Sequence, residues 1–356
     1  AFDTTNAIYY SKRGLSKYNF EDYRGAILDI TKALKLNPNN DEYYYDRGDA
    51  KFELEDYNGS ITDYDIAISI NKNNAEYYSN RGLAKYELGN HNDALIDLEK
   101  AIALDPQDGD YYNHRGLVKH EMEDFKGAID DFTKAILLDA EEDYYYFNRG
   151  LSKNELKDYK EAIEDFSKAI LIDKEDGDYF YNRGCSKYEL KEYELAINDF
   201  NSAISVDPTV ANYYCNRAMA MDELGKYSDA LLDYDKAIEL DTTDESFFYN
   251  RGNTKYSVED YTSALTDYNM AIKINASNQD QYNNRGLAKY QLKEYRNAID
   301  DFTKAIELDY TDGDFFYNRA LCKIEMKELT SACDDLEKAK NLGNKDAKSM
   351  IKKNCK

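Results

Sequence analysis

An arginine recurs every 34 residues through almost the whole of this 356-residue chain. Each of the ten is followed by Gly or Ala: Arg13, Arg47, Arg81, Arg115, Arg149, Arg183, Arg217, Arg251, Arg285 and Arg319. Self-similarity at such a period is typical of repeat arrays, in which each repeat packs only against its neighbours. The sequence therefore predicts one array, although the length alone would suggest two or three globular domains.

Ten repeats follow one another without an insertion when the first begins at Ala7. They are 7–40, 41–74, 75–108, 109–142, 143–176, 177–210, 211–244, 245–278, 279–312 and 313–346, preceded by an N-terminal arm (1–6) and followed by a polar, basic C-terminal cap (347–356). Numbering each repeat from its first residue, places 4, 8, 11 and 14 recur at helical spacing, as do places 20, 24, 27 and 28. A polar break separates the two sets, so each repeat is predicted to be two helices of about 14 residues.

Small and aromatic residues alternate in a fixed pattern along the repeat. Place 8 is Gly or Ala throughout, place 27 is always Ala, place 4 is always Tyr or Phe, and the three prolines all occupy place 32. This pattern resembles the tetratricopeptide repeat. The resemblance implies an all-α fold, an α-solenoid whose helix–turn–helix repeats stack into a right-handed superhelix, with first helices lining a concave groove that commonly holds a peptide. Arg at place 7 and Lys at place 11 differ from the Leu and Tyr usual in that family.

The arginine at place 7 is predicted to face the second helix, because places 4, 7, 11 and 14 share one face of the first helix. A buried guanidinium is costly unless it is paired, and place 23 is Asp in all ten repeats. We therefore predict Arg–Asp pairs, within or between repeats, that set the stacking register more than the net stability. Those in the middle of the array are Arg149, Arg183, Arg217 and Arg251 with Asp165, Asp199, Asp233 and Asp267. The alternative is a row of arginines presented to an acidic ligand.

The opposite stripe of the first helix, at places 2, 6, 9 and 13, is predicted to line the groove. Place 6 is Asn in seven repeats: Asn80, Asn148, Asn182, Asn216, Asn250, Asn284 and Asn318. A carboxamide carries two donors and an acceptor, so a row of them suits the backbone of an extended peptide. The alternative is that these asparagines make only local contacts.

Acidic and aromatic side chains border the predicted groove. The rim residues are Glu87, Glu121, Glu155, Glu189, Glu223, Tyr181, Tyr188, Tyr249, Tyr256 and Tyr290. Such a rim favours an extended peptide with Lys or Arg and some apolar side chains. An acidic C-terminal tail fits poorly, since places 2 and 5 hold no basic residue. The alternative is that the acidic rim is a solvated face.

The overall composition restricts the partner and the compartment. With 46 basic and 70 acidic residues the net charge is −24, which repels phosphate backbones and anionic membranes, and no apolar run is long enough to cross a bilayer. The five cysteines are interpreted as small hydrophobic residues, with Cys185 and Cys215 the pair that might meet. A soluble chain is expected, and unpaired cysteines slightly favour the cytoplasm over export, with the compartment otherwise undetermined.

No set of residues in the sequence suggests catalysis. The three histidines have no zinc-binding spacing, and no phosphate-binding glycine loop or nucleophile triad can be assigned. We therefore predict a monomeric, non-catalytic module that needs no cofactor or metal and binds a protein or peptide in its groove. The alternative is a structural scaffold that works in a larger assembly through its convex face or its ends.

Overall fold

The computed structural model describes residues 6–355, and within that range the chain forms 21 α-helices and no strand. The first ten are α1 Ala7–Asn19, α2 Tyr23–Leu36, α3 Asp41–Phe52, α4 Tyr57–Ile70, α5 Ala75–Glu87, α6 His91–Leu104, α7 Gly109–Glu121, α8 Phe125–Leu138, α9 Asp143–Glu155 and α10 Tyr159–Ile172. The others are α11 Gly177–Glu189, α12 Tyr193–Val206, α13 Ala211–Glu223, α14 Tyr227–Leu240, α15 Glu245–Ser257, α16 Tyr261–Ile274, α17 Gln279–Gln291, α18 Tyr295–Leu308, α19 Gly313–Glu325, α20 Leu329–Asn341 and α21 Ala347–Asn354. Of the predicted N-terminal arm, only Asn6 lies within the described residues, and its side chain caps α1.

Each repeat is a pair of helices, an odd-numbered first helix and an even-numbered second helix. The first helices begin at place 1 and the second helices at place 17 in all ten repeats. The chain divides into two compact halves, one ending at residue 174 and one beginning at residue 175. Within each half, first helices of consecutive repeats contact one another, as α3 does α5 and α15 does α17, whereas second helices of residues 6–355 have no comparable contacts. The first-helix face is therefore the inner side of each half.

The turn between the two helices has the same backbone conformation in every repeat. The residue at place 15 has a positive φ in all ten, yet only Gly89 and Gly225 are glycines, and the other eight are Glu or Lys. The N–H of place 16 then donates to the carbonyl of place 11, as Asp22 does to Lys17 at 2.9 Å. This is the left-handed C-cap that ends many helices. Glycine adopts it without strain, whereas the Glu and Lys residues found here in eight repeats are strained in it.

Small residues let the helices of a repeat approach closely. The alanines at place 27 are fully buried, and so are large rings at place 24 such as Phe166. A Cβ added to Gly150, at place 8, would lie 2.7 Å from the Phe166 ring, which is closer than packing allows. A glycine packed on an aromatic ring thus builds the core of six repeats, and the other four use Gly with Ile or Leu, or Ala at place 8.

Place 3 forms the core between repeats, which the sequence pattern did not reveal. Tyr9 of the first repeat is exposed, but in the other nine repeats the side chain is almost fully buried: Tyr43, Tyr77, Tyr111, Tyr145, Tyr179, Tyr213, Phe247, Gln281 and Phe315. Tyr77 packs with Ala67 of the preceding repeat, and Phe315 with Ala305. Because this residue contacts a neighbouring repeat, the helical spacing within one repeat does not identify it.

The C-terminal cap contains an eight-residue helix, α21, packed on α20. Ala347, Met350 and Ile351 contact the core that holds Leu336. The chain then turns back, so that Cys333 and Cys355 form a disulfide with their Cα atoms 5.7 Å apart. The expectation that the cysteines are unpaired is therefore wrong for these two, because the fold of the cap brings together residues that are 22 positions apart.

The other three cysteines, Cys185, Cys215 and Cys322, are free. Cys185 and Cys215, which might have met, form no disulfide. Since Cys333 and Cys355 are paired, the cysteines no longer favour the cytoplasm over export. None of the helices in residues 6–355 has the length and hydrophobicity that a membrane span requires.

Candidate functional site

Each arginine at place 7 reaches the aspartate at place 23 of its own repeat. In the fifth repeat, Arg149 Nε and Nη2 donate to Asp165 Oδ2 and Oδ1 at 2.9 and 2.6 Å. The same two-point pairing joins Arg183 to Asp199, Arg217 to Asp233 and Arg251 to Asp267. The aspartates are buried, with at most 8% of Asp233 and less of the others exposed. The structure thus brings the predicted partners together within a repeat.

The lysine at place 11 is a second cation on the same aspartate. Lys153 Nζ lies 2.6 Å from Asp165 Oδ2, and Lys187 Nζ lies 2.7 Å from Asp199 Oδ2. In the seventh repeat place 11 is Met221 instead. Sequence reasoning treated this lysine only as a departure from the family pattern. Its recurrence one helical turn after the arginine was the signal that could have identified it.

In at least seven repeats the remaining guanidinium nitrogen, Nη1, joins the arginine to the preceding repeat. Arg149 Nη1 donates to Thr133 Oγ1 at 3.1 Å, and Arg251 Nη1 lies 2.6 Å from Asp235 Oδ1, in each case at place 25 of the preceding repeat. The guanidinium also lies over the aromatic ring at place 4, with Arg149 Cζ 5.8 Å from the Tyr146 centroid. These contacts use the arginines inside the array, which accounts for their fixed position better than an acidic ligand does.

The asparagines at place 6 also connect consecutive repeats. Asn80 Nδ2 donates to Tyr45 OH at 2.9 Å and to Asp49 Oδ1 at 3.1 Å. The others with such contacts are Asn148 to Asn113, Asn216 to Tyr181, Asn250 to Cys215, Asn284 to Tyr249 and Asn253, and Asn318 to Asn283. Asn182 instead donates to the carbonyl of Asp178, in its own helix. At least one amide proton of each of these asparagines is thus used within the array.

The predicted rim divides into exposed acids and half-buried rings. Glu87, Glu121, Glu155, Glu189 and Glu223 are all exposed at the end of their first helices. Tyr181 and Tyr249 accept hydrogen bonds from the asparagines described above. Tyr188, Tyr256 and Tyr290 pack against Tyr193, Tyr261 and Tyr295 of the second helices, with centroids 5.2 to 5.5 Å apart. The carboxylates therefore lie in water beside partly accessible aromatic edges.

Two cavities open on the first-helix face, one in each half, at equivalent places of the repeat. The Asp49 cavity has a volume of about 310 Å³ and is lined by Tyr18, Tyr45, Asp49, Phe52, Glu53, Tyr64, Asn80 and Leu83. The Asn253 cavity has about 160 Å³ and is lined by Asn253, Tyr256, Ser257, Tyr268, Asn284 and Leu287. Both use places 9, 12, 13 and 24 of one repeat and places 6 and 9 of the next.

Burial and mutual repulsion perturb the carboxylates around the first cavity. Burial raises the pKa of Asp49 to about 6, although hydrogen bonds from Tyr64 OH at 2.6 Å and from Asn80 oppose the shift. Burial and the nearby carboxylates of Asp49, Glu42 and Glu76 raise the pKa of Asp46 to about 7. These acids thus lack compensating positive charge.

His114 replaces asparagine at place 6 of the fourth repeat. Its Nδ1 lies 3.0 Å from Ser79 Oγ of the preceding repeat, so the contact between repeats is kept. Burial lowers the pKa of His114 to about 4, which leaves the ring neutral. Between residues 6 and 355, no three His, Cys, Asp or Glu side chains are grouped so that they could hold a metal ion.

The family comparisons agree with this architecture. Models described as TPR repeat match residues 48–89, 223–258 and 252–293, and models described as tetratricopeptide repeat match 75–108, 109–142, 144–176, 177–210 and 280–309. No curated protein matches the chain.

Two solved structures with TM-scores above 0.5 show the same fold, and a third is a similar sequence over half of the chain. A tetratricopeptide repeat protein from Parabacteroides merdae is 18% identical, over 70% of this chain and 98% of that one, with a TM-score of 0.55. The APC/C hetero-tetramer Cut9–Hcn1 is 16% identical, over 99% and 84%, also with 0.55. YrrB, described as a TPR protein with an unusual peptide-binding site, is 26% identical over 50% and 92%, with 0.44.

The matched segments together span well over half of the chain, and the helix pairs repeat at the family's period. Proteins of this family generally mediate protein–protein interactions and are generally not catalysts. The chain belongs to the tetratricopeptide repeat family.

Proposed function

We propose that this chain is a non-catalytic interaction module that holds an extended segment of a partner protein on its first-helix face. The segment is basic and apolar, unlike an acidic C-terminal tail. Support comes from three features of that face: its charge, its half-buried leucines and its cavities.

The distribution of charge carries the proposal. The cations of the first helices, at places 7 and 11, bind the buried aspartates of place 23, as Arg149 and Lys153 bind Asp165. The glutamates at place 13, in contrast, are exposed. The charge available to a ligand on this face is therefore mainly negative, in a chain whose net charge is −24. A basic segment would be attracted and an acidic one repelled.

Leucines at place 9 supply apolar contacts beside these acids. Leu83, Leu117, Leu151 and Leu287 are half-buried on the first helices. Each keeps part of its surface accessible, and a partner side chain that covers it gains hydrophobic contact without unfolding the array. An alternation of acid, ring and leucine suits a segment that carries both basic and apolar residues.

A matched pair of double variants tests which face binds. Leu117→Lys with Leu151→Lys removes two apolar contacts from the first-helix face and places positive charge there, and Leu137→Lys with Leu171→Lys places the same charge on the second helices of the same two repeats. Leu137 and Leu171 are 76% and 67% exposed, so the second pair should fold normally. Binding of a random peptide library and helical circular dichroism would be measured for both variants. We expect the first pair to lose about tenfold or more in peptide affinity and the second pair to lose little.

The opposite result would favour the second candidate, a scaffold that assembles through its outer side. Leu137 and Leu171 occupy the same place in consecutive repeats and are the most exposed leucines of their helices. This pair of exposed apolar side chains is the observation that supports the scaffold as a second candidate. Loss of a protein partner by the Leu137 and Leu171 pair alone, with library binding absent from the wild type, would replace the peptide-binding proposal.

A further inference from the structure

The helix α3 and its C-cap residue, Glu53, carry four carboxylates on the groove face. They are Glu42, Asp46, Asp49 and Glu53, at places 2, 6, 9 and 13 of the second repeat. In α15, which has the same position in the eighth repeat, those places hold Ser246, Asn250, Asn253 and Ser257. The two helices thus present one stripe of acids and one stripe of uncharged polar residues on otherwise equivalent backbones.

The acids of α3 have no cationic partner within the array. Arg47 and Lys51, on the other face of the helix, both bind Asp63, at 2.6 and 2.7 Å. No Lys or Arg nitrogen among residues 6–355 lies within 4 Å of any of the four carboxylates. Placing four acids together in this way costs free energy in the unliganded chain, which a cationic ligand would recover.

Aromatic side chains complete the surroundings of Asp49 and Glu53. Four rings line the cavity, namely Tyr18, Tyr45, Phe52 and Tyr64. Tyr18 OH donates to Glu53 Oε1 at 3.3 Å, and Tyr64 OH donates to Asp49 Oδ1 at 2.6 Å. Electron-rich ring faces beside carboxylates attract an ammonium or guanidinium group, and the rings also cover the methylene stem that carries it.

We propose that the Asp49 cavity is the receptor for one cationic side chain, a lysine or arginine of the partner segment, with Asp49 and Glu53 as its counter-charges. This inference rests on the proposed function, because it gives the peptide a charged anchor at one defined repeat. The Asn253 cavity has two rings, Tyr256 and Tyr268, and no acid in its lining, so it accepts a neutral side chain instead.

The chain itself supplies a conservative substitution for Asp49. In the Asn253 cavity, Asn253 Oδ1 accepts from Tyr268 OH at 2.9 Å and from Asn284 Nδ2 at 3.0 Å. Asp49 Oδ1 accepts from the equivalent donors, Tyr64 OH and Asn80 Nδ2. Asp49→Asn should therefore keep both hydrogen bonds and the fold while removing the charge.

The test uses the full chain and peptide pools with one fixed position, occupied by Lys, Arg, norleucine or Glu, between randomised positions. A tryptophan at one end of each peptide reports binding, because the chain contains no tryptophan of its own. The variant is Asp49→Asn with Glu53→Ser. Its control is Asp130→Asn with Glu164→Gln, which removes two exposed charges from second helices of the same half.

We expect the Lys and Arg pools to bind the wild type about tenfold more tightly than the norleucine and Glu pools. The variant should lose that preference, the control should keep it, and Asn253→Asp with Ser257→Glu should strengthen it. An unchanged preference in the variant would overturn this inference and leave the proposed function standing. Binding of all four pools with equal affinity would overturn this inference together with the basic preference, and would leave peptide binding on the first-helix face. No binding of any pool to the wild type would overturn both.

Discussion

The Asp49 and Asn253 cavities are two versions of one site. Tyr64 and Tyr268 form equivalent walls, each packed on a glycine, Gly48 and Gly252, that has no room for a Cβ. The lining differs, because acids in the first cavity are replaced by Asn and Ser in the second, and the volume falls from about 310 to about 160 Å³.

This difference separates what the array needs from what it can vary. The ring, the glycine and the asparagine from the following repeat hold the stack together, and they are present in both cavities. The stack does not need a charge at place 9, because Asn253 accepts the same two hydrogen bonds as Asp49. A repeat array can thus place different specificities along one face without altering its fold.

The largest expected effect concerns the arginines that follow the two cavities. Arg81 binds Asp97 and Asp65, and Arg285 binds Asp301 and Asn269. We expect Arg81→Ala and Arg285→Ala each to destabilise their repeat by about 3 kcal/mol, because a buried aspartate keeps only its lysine. Arg81→Ala also removes the ion pair with Asp65, whose side chain is 56% exposed. Loss of that pair should add less than about 1 kcal/mol to the destabilisation. Amide hydrogen exchange of the third and ninth repeats would measure both values.

A double substitution of the same pair provides the control. Arg81→Met with Asp97→Leu removes both charges and should cost clearly less than Arg81→Ala alone. An equal or larger cost would show that the pair itself supplies net stability. A much larger loss for Arg81→Ala than for Arg285→Ala would mean that the acidic surroundings matter more than the shared architecture.

The second effect is a gain in stability when Gln281 is replaced. Gln281 lies in the repeat that completes the Asn253 cavity. Gln281 is 1% exposed, and neither its Oε1 nor its Nε2 has a hydrogen-bond partner. The neighbouring repeats have Phe247 and Phe315 at this place, and the repeat that completes the Asp49 cavity has Tyr77, whose OH donates to Asp41. Gln281→Phe should therefore stabilise the C-terminal half by about 2 kcal/mol, measured by urea unfolding. The exposed Gln291, changed to Phe, should give no gain, and destabilisation by Gln281→Phe would contradict the burial argument.

The third effect is a pH dependence that only the Asp49 cavity should show. The raised pKa values of Asp49 and Asp46, about 6 and about 7, mean that folding favours their protonated forms. The stability they contribute is complete below about pH 4, the ordinary carboxyl range, and is lost as the pH rises through 6 to 7. We expect the free energy of local opening in the second repeat, measured by amide hydrogen exchange, to fall over that interval by on the order of 1 kcal/mol. Asn250 and Asn253 at those places add no such dependence to the eighth repeat, where the remaining contribution comes from Asp222 of the seventh repeat, whose pKa is raised by burial and which accepts from Thr254 Oγ1. Asp46→Asn should reduce the dependence in the second repeat.

The smallest effect concerns the turns, where the two regions should respond alike. Glu55 and Glu259 occupy place 15 of the second and eighth repeats with φ of 60° and 65°, a left-handed conformation that glycine adopts more easily. Glu55→Gly and Glu259→Gly should each raise thermal stability by about 0.5 kcal/mol. Glu55→Ala removes the same charge without relieving the strain and should not stabilise. Stabilisation by alanine equal to that by glycine would assign the effect to charge.

Sequence periodicity predicted much of this architecture in detail. The ten repeats, the paired helices and the partners Arg149 and Asp165 all follow from residues that share a helix face at a fixed interval. The role of Lys153 was not predicted, although its recurrence one helical turn after Arg149 could have shown it. Nor did the periodicity predict the buried place 3 or the left-handed turn residues. Those depend on which side chains meet across a turn or between repeats, and a period within one repeat carries little information about either.

The sequence by itself therefore determined the array and its inward-facing charges, because 34-residue repetition leaves only one way to bury the recurrent apolar places. The tertiary structure decided which polar groups remain for a ligand. Stacking brings Asn80 onto Asp49 and Tyr45, pairs Cys333 with Cys355, and leaves the acids of α3 without a cation. These outcomes depend on differences of a few ångströms in the distances between neighbouring helices. Side-chain packing determines those distances, and the amino-acid composition does not.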